Sequence, residues 1–173
     1  MTQEPESRKI GKTMAIIAWI IGIALMTQLF GAWEAHQFNP NQNPDSYSAN
    51  NATHVRLEQN RWGHYLVNGY VNQKPASFML DTGATDVVIP EALADFYQLE
   101  RQGSGLGLTA NGVVSLDKTT LNEISFGDIK LYNVRASITA GMDKDQPILL
   151  GMSVLKRLDL KQQDDVLTLT QKP

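Results

Sequence analysis

Residues 14–33 read MAIIAWIIGIALMTQLFGAW and contain no charged side chain. At a helical rise of about 1.5 Å per residue, that run is about as long as the hydrocarbon core of a bilayer is thick. Arg8, Lys9 and Lys12 precede it, while Glu34 and His36 follow. This asymmetry assigns residues 1–13 to the cytoplasm and everything after the run to the outer side of the membrane. A cleaved signal peptide is the competing reading, and the buried helix of a soluble protein is a third. A signal peptide calls for a shorter apolar region, about 7–15 residues, ending in a small-x-small site. The segment Gly31-Ala32-Trp33-Glu34-Ala35-His36 is a poor match to such a site. Length and flanks favour an uncleaved transmembrane helix over 14–33, with Trp33 as an interfacial aromatic.

The next stretch changes character. Residues 37–53, QFNPNQNPDSYSANNAT, are rich in Asn, Gln, Pro and Ser and nearly devoid of apolar side chains. On composition this is a flexible linker, and the tether is assigned to 34–53. Residues 54–173 remain, a usual size for one domain.

Composition limits what that domain does. The whole chain is 42% apolar and 19% charged with a net charge of −3, which is globular and lacks the basic excess of a nucleic-acid binder. It has no cysteine, so disulfides, thiolate metal sites and cysteine nucleophiles are excluded. His36, His54 and His64 are too dispersed for a metal site. Asp143-Lys144-Asp145 and Asp164-Asp165 lack the spacing of a calcium loop. Nothing calls for a metal or an organic cofactor.

Apolar residues alternate in short runs at 54–57, 64–70, 76–80, 87–89, 113–116, 123–126, 129–134 and 166–170. Turn residues separate the runs, a pattern that predicts a β sandwich or barrel. Two segments read as helical: 91–99, which follows Pro90 and carries Leu93, Phe96 and Tyr97, and 152–158, which follows Gly151.

One stretch carries chemistry. In Phe78-Met79-Leu80-Asp81-Thr82-Gly83-Ala84-Thr85-Asp86-Val87-Val88-Ile89, apolar runs lead into and out of a polar turn. Such flanks are expected to bury Asp81, and burial together with a second nearby acid raises a carboxyl pKa. Gly83 permits a tight turn and close approach of a ligand. Thr82 offers a hydroxyl to an identical loop. A second stretch, Pro147-Ile148-Leu149-Leu150-Gly151-Met152-Ser153, reads as a buried strand leading through glycine into a short helix.

Together the two stretches resemble the retropepsin-like aspartic proteases, in particular a bacterial subgroup with one such domain behind a membrane anchor. The likeness rests on Leu80-Asp81-Thr82-Gly83-Ala84 and Leu149-Leu150-Gly151 and extends over 64–170. It implies a mostly β fold, half of an acid-protease barrel with a short C-terminal helix behind one N-terminal transmembrane helix. It also implies an aspartic endopeptidase acting on protein or peptide substrates. A single Asp-Thr-Gly supplies half a site, so a homodimer is expected to bring together Asp81 and its symmetry mate. In that picture Thr82, Gly83 and Ala84 support the active loop, and Leu149, Leu150 and Gly151 buttress it from behind. The glycine-rich segment 103–112 is expected to be a flap, with Leu108, Thr109, Ala110, Asn111 and Gly112 against substrate. The same segment lacks the lysine and helix start of a phosphate-binding loop. Many retroviral members have an acid directly after Asp-Thr-Gly-Ala; here Thr85 stands there and Asp86 follows. The expected location is a bacterial inner membrane, crossed once, with the catalytic domain in the periplasm. A catalytically silent dimeric binding or scaffold module is the alternative, and a β domain whose Asp81 merely caps a turn is the third.

Overall fold

A computed structural model describes residues 6–109 and 112–173. The chain forms two compact units, one ending at Gln37 and one spanning Phe38–Pro173. In the first, the helix α1 (Glu6–Phe38) takes up the whole apolar run. Its apolar side chains, Trp19 and Leu29 among them, are exposed. It is long and apolar enough to cross a membrane. The helix ends ahead of Pro40, whose ring disfavours helical backbone at Asn39.

The second unit is mostly β. In chain order its strands are β1 (Asp45–Ala49), β2 (Ala52–Glu58), β3 (Leu66–Val71), β4 (Lys74–Leu80) and β5 (Val87–Pro90). Then follow β6 (Ser104–Thr109), β7 (Gly112–Phe126), β8 (Ile129–Thr139), β9 (Ile148–Leu150), the short helix α2 (Met152–Leu155), β10 (Asp159–Gln163) and β11 (Val166–Gln171). One sheet has the order β1-β2-β11-β10 and is antiparallel throughout. The other runs β3-β4-β9-β5-β8-β7-β6, and β3 also pairs with β7 through Tyr70↔Ser125 and Val71↔Ile124. That extra pairing closes the second sheet into a barrel. The closure depends on Gly69, where a Cβ would lie 2.1 Å from the Ser125 carbonyl oxygen.

Period-two alternation builds the core. Val55 and Leu57 of β2 and Leu167 and Leu169 of β11 face inward and join Phe78, Ile124, Phe126, Ile129 and Leu150 in one cluster. Phe78 and Phe126 meet edge to face with ring centroids 6.3 Å apart. Gly127, at φ +53°, supplies the left-handed turn between β7 and β8.

Three expectations are corrected. Residues 37–53 are not a flexible linker: β1 pairs with β2 along its whole length, and Asn39 and Asn41 are buried. Hydrogen bonds rather than apolar contacts hold this segment. The Asn41 side-chain amide donates to Glu58 O at 2.8 Å and Leu66 O at 2.7 Å, and its oxygen accepts from Glu58 N at 2.7 Å. One asparagine thus bridges β2 and β3 as a short strand would. The helix expected over 91–99 is a single 3-10 turn, Glu91–Leu93, followed by further turns. Gln98 there adopts φ +57°, which no right-handed helix passes through. Residues 113–116 and 123–126, read as separate runs, belong to one fifteen-residue strand, β7.

Candidate active site

The strand β9 lies between β4 and β5, parallel to the first and antiparallel to the second. The loop 81–86 must therefore cross the end of β9 to connect its two neighbours. The pairings Met79↔Leu149 and Leu80↔Leu150 bring β4 to the crossing. Asp81 N then donates to Leu150 O at 3.1 Å, extending the ladder by one residue into the loop.

Asp81 is half-buried, and Thr82 and Gly83 are exposed. The expected burial is not reached within one chain, because the loop emerges at the barrel's end and the side chain folds over its own turn. Asp81 Oδ1 accepts from Gly83 N at 2.8 Å. Among the described residues the Asp81 carboxylate has no further hydrogen-bond partner, so one oxygen orients the group while the other stays open. Gly83 has no left-handed backbone. A Cβ there would stand 3.2 Å from Asp81 Oδ1, so the absent side chain keeps the carboxylate accessible.

Beneath the loop, Gly151 leaves no room for a side chain: a Cβ would lie 2.2 Å from Asp86 O and 2.7 Å from Ala84 O. The first free amides of α2 bind the loop, Met152 N to Ala84 O at 2.8 Å and Ser153 N to Thr85 O at 2.9 Å. Such amides lack intrahelical partners, and the loop carbonyls satisfy them. Ser153 Oγ accepts from Val87 N at 3.1 Å and donates to Arg135 O at 2.8 Å, tying loop, helix and β8 together. Leu150 is fully buried, whereas Leu149 is half-buried. The Arg135 guanidinium reaches Asp86 Oδ1 at 3.2 Å, an ion pair whose alignment falls short of a hydrogen bond.

The hairpin β6–β7 covers 104–109 and 112 onward; Ala110 and Asn111 lie outside the described residues. Leu108 and Thr109 occupy the end of β6, in register with Val113 and Gly112. Leu106 and Val113 on this hairpin are exposed. Its root is fastened by charge. The Arg101 guanidinium bonds Glu91 at 2.8 Å and also Asp117, and Ser104 Oγ donates to Asp117 Oδ1 at 2.8 Å. The Ser104 hydroxyl and then Arg101 hold the Asp117 carboxyl below its ordinary pKa; Glu91 and Asp117 raise that of Arg101. Sequence reasoning missed Ser153, Arg101 and Asp117. Ser153 closes the second apolar stretch but its role depends on Val87 and Arg135, and Arg101 and Asp117 sit in no motif.

A groove of about 840 Å³, lined by Tyr70, Pro75, Phe96 and Pro147, does not include Asp81. Among the described residues no group of three His, Asp or Glu side chains is placed to hold a metal ion.

Residues 67–157, a span containing both the Asp81 turn and Gly151, match the family described as "gag-polyprotein putative aspartyl protease". An uncharacterized protein in the cobV 5′ region of a Sinorhizobium species is 33% identical over 111 residues, covering 62% of this chain and 47% of that protein. An uncharacterized protein of Rickettsia prowazekii (strain Madrid E) is 32% identical over 98 residues, covering 55% and 41% respectively. The chain spans less than half the length of these curated relatives. Among solved structures, a retropepsin-like aspartic protease from Rickettsia conorii superposes with a TM-score of 0.56 at 25% identity, over 75% of this chain and 95% of that one.

Proposed function

Since the chain belongs to the gag-polyprotein aspartyl protease family and has a retropepsin-like fold, we propose that it is an aspartic endopeptidase whose active site forms between two copies. The carrying observation is the Asp81 turn. Its backbone is fixed from below by Leu150, Gly151 and the start of α2, yet Asp81 is half-exposed and among the described residues its carboxylate bonds only the Gly83 amide. Such a rigid seat with an exposed acid suits a half-site. A second copy facing it supplies a second Asp81, and the exposed Thr82 of each loop lies ready to bond across.

Two carboxylates this close do not both ionise readily, so the pair holds one proton and titrates as a unit. The ionised member takes a proton from water as the water oxygen attacks the scissile carbonyl carbon. The protonated member gives its proton to the carbonyl oxygen, forming a neutral diol. Breakdown cleaves the C–N bond, returns one hydroxyl proton to a carboxylate and delivers the other carboxyl proton to the departing amine. The β6–β7 hairpin closes over the substrate, with residues 108–112 against it.

Membrane anchoring through α1 is part of the proposal. Arg8, Lys9 and Lys12 keep the N-terminus cytoplasmic and place the protease domain in the periplasm, across a bacterial inner membrane. The test compares full-length wild type with Asp81→Asn on a diverse peptide library from acid to neutral pH. We expect cleavage by wild type alone, rising faster than linearly with chain concentration. The variant should lose at least about 10²-fold in kcat/KM while its melting temperature stays unchanged or rises. Equal cleavage by both would overturn the assignment of Asp81. Silence from both, with pairing confirmed by sedimentation, would favour the binding or scaffold module.

A further inference from the structure

The first residue of the β unit, Phe38, is also the last residue of α1. The loop between β2 and β3 returns to it: the Asn60 amide donates to Phe38 O at 3.0 Å. That loop is built rigidly. Asn60 Oδ1 accepts from both Trp62 N and His64 N at 3.0 Å, Gly63 adopts φ +84°, and Gln59 Nε2 donates to Gly63 O at 2.7 Å. What so fixed a loop presents outward is an indole. Trp62 is 50% exposed and Phe38 46%, their rings 6.0 Å apart in an edge contact. The Arg61 guanidinium lies 4.0 Å above the Trp62 ring.

Two large aromatic side chains left in water, Trp62 on an ordered loop and Phe38 at the end of α1, forgo the free energy of burial. A ring with a polar edge beside a stacked guanidinium suits one environment well, the headgroup layer of a bilayer. There the indole lies near the glycerol level and the cation meets lipid phosphate. Covalent reach supports that occupant. Only residues 34–38 separate Trp33 from Asn39, the first buried residue of the β unit. Even fully extended, the six steps from Trp33 to Asn39 span at most about 22 Å. We propose that Phe38, Arg61 and Trp62 form a foot that rests the domain in the lipid headgroups. The proposal relies on α1 spanning the membrane. It narrows the substrates to polypeptide segments close to the bilayer surface.

The test uses the full chain carrying Trp19→Phe and Trp33→Phe, which leaves Trp62 as the sole tryptophan. It is reconstituted in phosphatidylethanolamine–phosphatidylglycerol vesicles, with and without lipids brominated near the headgroup end of the acyl chains. We expect blue-shifted Trp62 emission, quenched at least twofold by the brominated lipid and shielded from acrylamide, with Arg61→Glu reducing the quenching. Emission typical of water, unquenched by bromine, in a chain that resists alkaline carbonate extraction would overturn the foot alone. Blue-shifted but unquenched emission, as when a second copy covers the indole, would overturn it too. Release of the chain by carbonate would instead bring down the spanning reading, and the foot with it.

Discussion

A methyl group at position 151 would meet two backbone carbonyl oxygens, Asp86 O and Ala84 O, neither of which a rotamer change can move. Gly151→Ala therefore has to displace the Asp81 turn or the start of α2. Overpacking of this kind costs about 1–3 kcal/mol or more, which urea unfolding will read. The loss in kcat/KM is expected to exceed what that destabilisation explains, because the displaced part is the acid's own seat. This coupling was implied by the resemblance that Asp81-Thr82-Gly83-Ala84 and Leu149-Leu150-Gly151 carry, not by their composition alone. The degree of Asp81 burial was not legible. Apolar flanks report that strands on either side are buried; they do not say where along the strand the barrel ends.

The β6–β7 hairpin is held at its root by side chains of both signs. Arg101→Ala removes the contacts to Glu91 and Asp117 together. It should raise KM for a peptide substrate severalfold and speed hydrogen exchange over 104–117, with Arg101→Lys restoring part of the loss. Acid acts on the same root. The folded-state pKa of Asp117 is lowered, so its contribution to holding the root is complete above the ordinary carboxylate range and is lost as pH falls through the lowered value. Protection of the hairpin amides, after correction for the intrinsic pH dependence of exchange, should therefore hold on acidification to about pH 4 and fall below it. Elements were legible where one face is buried, as in β2 and β11. The strand β10 is exposed at every position, so no alternation marks it. In 91–99, Leu93, Phe96 and Tyr97 have helical spacing, but they pack from successive turns that Gln98 terminates at positive φ. The first strand, β1, hides in a polar stretch because asparagine amides, not apolar side chains, hold its surroundings in place.

The boundary of the folded unit follows from that network. A fragment of 38–173 keeps β1 and Asn41, while a fragment of 54–173 leaves Glu58 and Leu66 without their amide partner. The shorter fragment should be less stable by about 2–4 kcal/mol in urea unfolding. The barrel, by contrast, closes within one chain through the β3–β7 pairing. On the proposed two-copy site, folding and competence separate: each chain completes its own barrel but carries one Asp-Thr-Gly. A cell making few copies would then hold folded, inert halves. While those halves are in excess, halving synthesis cuts the number of active pairs about fourfold. On that proposal, expression level itself sets the threshold at which proteolysis begins.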